Sequence, residues 1–143
     1  MKKHSSRPAP VRNPSSIVLP TELPFVARHL RRRGSKSAGS LWQVPPADDY
    51  RQAYRRGGDY AALFVQYLHD HPSAVGSNLL GRIARDMDFS GQSAARGYQA
   101  GFFAHLERLI YARAAHCDVF ADLDRFNERA ALLHALWFGT DQR

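Results

Sequence analysis

From residue 48 to residue 138 apolar residues return every three or four positions, and nowhere do they alternate with period two for long enough to make a core strand. A chain patterned in this way buries its apolar side chains by packing helices on helices. Asp48-Asp49 supplies a cap and first turn for a helix running to about Arg56. Gly57-Gly58 interrupts it, and Asp59 recaps a second helix to about Asp70, with Tyr60, Leu63, Phe64, Tyr67 and Leu68 as its stripe. Beyond the turn marked by Pro72 and Gly76, a third helix spans about Asn78 to Met87 on Leu79, Leu80, Ile83, Ala84 and Met87. A fourth runs from near Ser90 to about Ala115 with Tyr98, Phe102, Leu106, Leu109 and Ile110 inward. Asp118 caps a fifth, whose inward stripe is Val119, Leu123, Phe126, Ala130, Leu133 and Trp137. The predicted architecture is an all-α bundle of about five helices over residues 48–143, with no internal repeat.

The first 47 residues read differently. Residues 1–20 are punctuated by Pro8, Pro10, Pro14 and Pro20 and carry no helical or strand period, so they are expected to form a disordered basic tail. Residues 21–47 read as a basic amphipathic helix and a linker. Thr21 is the cap, Glu22 sits at the positive end of the dipole, and Pro24 is tolerated in the first turn. Phe25, Val26, His29 and Leu30 share one face, Arg28, Arg31 and Arg32 the other, and Gly34 ends the helix. Ser35 to Ser40 is a Gly/Ser linker, and Leu41-Trp42-Gln43-Val44 a short extended piece closed by Pro45-Pro46. On this reading the tail and helix form a mobile basic arm, and removing Met1 to Lys36 leaves the body able to fold.

Charge follows the same division. Residues 1–36 hold nine Lys/Arg against the single acid Glu22, a net of +8, while the other 107 residues hold 11 Lys/Arg against 12 Asp/Glu, a net of −1. A basic arm on a nearly neutral body points to a polyanion partner, most simply nucleic acid. The lone Cys117 excludes an intramolecular disulfide framework and suits a reducing, cytoplasmic compartment. No run approaches the apolar length that spans a bilayer, and no apolar stretch follows Lys2-Lys3 to make a signal peptide. A basic helix of this length with one aromatic gives no stable membrane insertion.

Arg82 to Gly97 contains several physical requirements of two helices joined by a tight turn. Ala84 is small where the helices cross, Met87 and Phe89 flank the turn, Ser90 is a strong N-cap, and Ala94 is a small inward residue. The segment resembles helix-turn-helix DNA-binding proteins over about 20 residues, with Asp88 at the turn position usually held by Gly and Gly97 where a bulky apolar residue is usual. The resemblance implies that the second helix enters the major groove and offers Gln92, Ser93, Arg96 and Gln99 to bases and phosphates. Arg82 and Arg85 would join Arg28, Arg31, Arg32, Arg33 and Lys36 on the backbone. The alternative is plain bundle packing, in which Ala94, Gly97, Ala100, Gly101 and Ala104 form a small-residue face.

Other clusters read as structural. His69-Asp70-His71 diverges at a helix end without Cys or Glu to complete a tetrahedral metal site. His116-Cys117-Asp118 places adjacent side chains that do not face one another, as a nucleophile and base must. No Glu/Asp pair has a spacing suited to acid–base work, and Gly57-Gly58 lacks the strand and Lys-Ser/Thr of a phosphate loop. The expectation is a non-enzymatic DNA-binding regulator or accessory protein without metal or cofactor, acting on duplex DNA rather than RNA. The alternative is a protein-binding adaptor or inhibitor whose basic arm docks on an acidic surface of a larger complex.

Overall fold

A computed structural model describes residues 20–27, 39–91 and 93–139. Among these residues are four α-helices and no strand: α1 (Tyr50–Asp70), α2 (Leu79–Asp86), α3 (Arg96–Ala114) and α4 (Val119–Phe138), with a 3-10 turn at Pro72–Ala74. The helical class expected from the apolar spacing is therefore what these residues adopt. Asp49 caps α1 by accepting from the Arg51 amide at 2.8 Å, and Asp118 caps α4 by accepting from the Ala121 amide at 3.0 Å.

The two helices expected on either side of Gly57-Gly58 are one. α1 passes through both glycines unbroken, because Gly57 is needed where α3 crosses. A Cβ on Gly57 would stand 2.8 Å from the carbonyl carbon of Tyr98 and 2.9 Å from the Phe102 nitrogen, and nearer still to the Tyr98 oxygen. The glycines of α3 answer those of α1. A Cβ on Gly97 would lie 2.9 Å from the Ala53 Cβ and the Tyr54 nitrogen, and one on Gly101 2.7 Å from the Tyr54 carbonyl carbon. Ala53, Gly57 and Ala61 recur at intervals of four on the buried face of α1, so backbone meets backbone along this contact. The helix-propensity cost of glycine, roughly 1 kcal/mol each, is accepted for the close approach.

The N-terminal segment is part of the core. Pro20 to Val26 makes successive turns, Leu23 N to Pro20 O at 3.1 Å and Val26 N to Leu23 O at 3.0 Å, where a helix starting at Thr21 was expected. Two backbone hydrogen bonds, Ala27 N to Ser40 O (3.0 Å) and Gln43 N to Phe25 O (2.6 Å), then lay Phe25–Ala27 beside Ser40–Gln43. Phe25 is wholly buried and Trp42 nearly so. Their ring centroids are 5.3 Å apart, and they lie 5.8 Å and 5.3 Å from Phe102 of α3. Tyr60 of α1 joins them, 5.4 Å from Phe25 and stacked on Tyr98 at 5.8 Å. Burying Phe25 alone contributes about 1.5–3 kcal/mol. Deleting Met1 to Lys36 would thus remove Leu23, Phe25 and Val26 from the core. The expected tail, apart from Pro20, and the expected helix from Arg28 onward lie outside the described residues.

Two further boundaries differ. Ser90 does not begin α3; its amide and hydroxyl both bond to the Asp88 carboxylate, at 2.9 Å and 2.6 Å, closing a local turn. The amides of Arg96, Gly97 and Tyr98 then donate to the carbonyls of Ser93, Ala94 and Ala95, and these bonds lead into α3, which starts at Arg96. α4 buries none of its residues, so the stripe from Val119 to Trp137 faces outward instead of into a bundle. The Tyr60–Phe102 side of α1 and α3 is covered by Phe25 and Trp42, not by another helix.

The paired glycines make a test. Gly57→Ala should destabilise the fold by about 1–3 kcal/mol through overpacking against Tyr98. Gly58→Ala, where a Cβ meets nothing nearer than 4.0 Å, should be neutral or stabilise by roughly 0.5–1 kcal/mol. Chemical denaturation of the two variants measures both.

Candidate nucleic-acid interface

The basic run is attached to the body at both ends. Ala27 and Ser40 are joined by their backbone hydrogen bond, and between them the sequence carries Arg28, Arg31, Arg32, Arg33 and Lys36 with no acid. These five residues lie outside the described ones, but the chain leaves and re-enters the core at this one point. Ser40 is fixed there by its own hydroxyl, which donates to the Trp42 carbonyl at 2.9 Å and accepts from the Trp42 amide at 3.2 Å.

Beside this point lies the end of α2. The Leu41 amide donates to Asp86 Oδ2 at 2.8 Å, a bond between residues 45 apart in sequence. That bond, with a smaller contribution from Arg85, holds the Asp86 carboxyl below its ordinary value of 3.8. Arg85 Nε lies 3.3 Å from Asp86 Oδ1, and its side chain remains 72% exposed. Arg82 is exposed one turn earlier on α2. An amphipathic helix only eight residues long, anchored by Leu79 and Ile83, thus presents two arginines next to the exit of the basic run.

The expected reader helix is not presented in the same way. A helix-turn-helix needs a turn of about three to four residues, whereas residues 87–95 separate α2 from α3. Met87 is buried, but Phe89 is 53% exposed and does not seal a turn. Gln99 is buried, and its Nε2 donates to the Asp88 carbonyl at 2.7 Å, so it ties the connection to α3 instead of facing outward. Gly97 is pressed against Tyr50, Ala53 and Tyr54, which turns the first buried face of α3 toward α1. Of the small-residue face, Gly97 and Gly101 make the close contact. Ser93 and Arg96 are exposed, and Gln92 lies outside the described residues.

The histidine pair diverges. His69 lies against Asp70 at 3.1 Å in solvent, whereas His71 bonds through Nδ1 to the Tyr67 carbonyl at 2.9 Å and approaches Glu22 through Nε2 at 3.3 Å. His71 therefore ties the turn at Glu22 to the end of α1, a role the sequence did not signal. Among the described residues no three His, Cys, Asp or Glu side chains converge on a metal position, and none of the described helices is long and apolar enough to cross a membrane. Compared with protein-family models, curated proteins and solved structures, the chain matches none.

Asp86→Asn removes the charged acceptor while keeping the shape. Because the folded carboxyl titrates below its unfolded value, its stabilisation is present above about pH 4 and fades as the pH falls through the folded value. The variant should lose about 1.5–3 kcal/mol at neutral pH, and its deficit should shrink below pH 4. Denaturation at neutral and acidic pH checks both parts.

Proposed function

We propose that this chain is a non-enzymatic accessory protein that binds duplex DNA through the phosphate backbone and acts in the cytoplasm. The observation that carries the reading is that Ala27 and Ser40, which flank the basic run in sequence, are bonded to each other, and that Leu41 is bonded to Asp86 at the arginine-bearing end of α2. Guanidinium groups present planar donor forks that match phosphate oxygens, and four of the five cations in the run are arginine. Arg82 and Arg85, exposed on α2, offer two further cations. Arg96 serves as a further backbone contact, and Gln99 has no part in base reading.

Backbone contacts orient a protein on DNA without specifying sequence. Binding is accordingly salt-dependent and tolerant of sequence. With five to seven cations engaged, log affinity should fall with log salt at a slope of about −4 to −6 on duplexes of unrelated sequence. Replacing Arg31, Arg32 and Arg33 together with Ala should reduce the magnitude of that slope by roughly three. Fluorescence anisotropy at several salt concentrations measures both. A triple variant with the affinity and slope of the natural chain would overturn the reading. Failure of the natural chain to bind duplex at low salt would do the same and would favour an adaptor that docks on an acidic protein surface.

A further inference from the structure

We infer that two copies of this chain associate about a two-fold axis by antiparallel pairing of α4. The inference goes beyond the reading of the basic run and rests on different residues. α4 is 20 residues long, about 30 Å, and buries none of them. Val119, Phe120, Leu123, Phe126, Leu132, Leu133, Leu136, Trp137 and Phe138 are each 50–78% exposed. Five of these, Val119, Leu123, Phe126, Leu133 and Trp137, share one face, and a contiguous exposed apolar face on a folded chain marks an interaction site.

The pattern on α4 identifies what covers it. Val119, Leu123, Phe126, Ala130, Leu133 and Trp137 alternate spacings of four and three, the seam of a coiled coil. A two-fold interface must be self-complementary: if one residue meets a second, the second must meet the first. Set antiparallel about Glu128, this seam meets that condition along its whole length. Val119 faces Trp137 of the second copy, Leu123 faces Leu133, and Phe126 faces Ala130. Each layer pairs a larger with a smaller side chain or leucine with leucine, so the helix axes can keep one separation. A parallel pairing would set Trp137 on Trp137 and Ala130 on Ala130, crowding one layer and hollowing another.

The area suffices. Five large seam side chains per copy, each offering on the order of 100 Å², give roughly 1,000 Å² from the two helices, near the lower bound of a specific interface. The surface continues past Val119 into an apolar cleft of about 400 Å³ walled by Val65, Leu106, Leu109 and Ile110.

Sedimentation equilibrium of the full chain tests the inference. The natural chain should sediment at twice its 16.1 kDa mass. Leu123→Lys with Leu133→Lys, both exposed in the single chain, should halve that mass without loss of helical signal, because like charges face each other across the axis. Leu123→Glu with Leu133→Lys should keep the doubled mass, since in the antiparallel register the new acid faces the new base. A natural chain that sediments as a monomer overturns the inference, including one that instead floats with neutral lipid vesicles. Two variants that both stay dimeric, or both become monomeric, overturn the seam or its antiparallel register.

Discussion

Backbone contact between α1 and α3 is the constraint from which the rest of the structure follows. Gly57 lies against the Tyr98 carbonyl, and Gly97 and Gly101 lie against the turn at Tyr50–Tyr54, so neither helix can move outward or turn without opening a gap. The close crossing brings the aromatic residues beside it, Tyr60 and Tyr98, into a stack with 9° between their planes. It also leaves Phe102 wholly buried at the centre of a ring cluster. Two helices alone cannot close such a cluster. Phe25 and Trp42 close it, and the core is complete only with residues that precede the first helix.

Much of this was legible in the sequence, and the misreadings share a cause. The capping acids Asp49 and Asp118 act within a few residues of their own position, and both helices begin where those acids indicate. Gly57-Gly58 looks like a break because local propensity is all that a single sequence displays, and the partner backbone that makes Gly57 necessary lies some 40 residues away. Thr21 and Glu22 mimic a helix start, yet Phe25 gains more from the aromatic cluster than a short basic helix could offer. Trp42, in a stretch read as a short extended piece after the linker, was the available signal that this region belongs to the core. The α4 stripe was read as facing inward because periodicity reports which face is apolar, not which molecule covers it. The cations of the candidate interface were plain as a block, while their anchor at Asp86 was not, since no local pattern links Leu41 to a carboxylate 45 residues away.

Anchoring changes what a basic run can do. A free tail loses conformational freedom when phosphates order it, which subtracts from its affinity. Holding the flanking Ala27 and Ser40 together would lessen that cost. Asp86 serves this arrangement in two ways: one oxygen receives the Leu41 amide, and the other lies beside Arg85. One acid thereby fixes the chain at Leu41 and lies beside a cation on α2.

Residues 20–27 and 39–44 belong to the same cooperative unit as α1 and α3. Amide hydrogen exchange under native conditions measures this directly, because a cooperative unit exchanges its most protected amides through a shared opening. The amides of Ala27, Leu41 and Gln43, each bonded in the structure, should exchange with the same opening free energy as the slowest amides of α1 and α3. Exchange of those three amides at the rate of unprotected ones, with α1 and α3 still protected, would show that the segment leaves the core on its own and is no part of that unit.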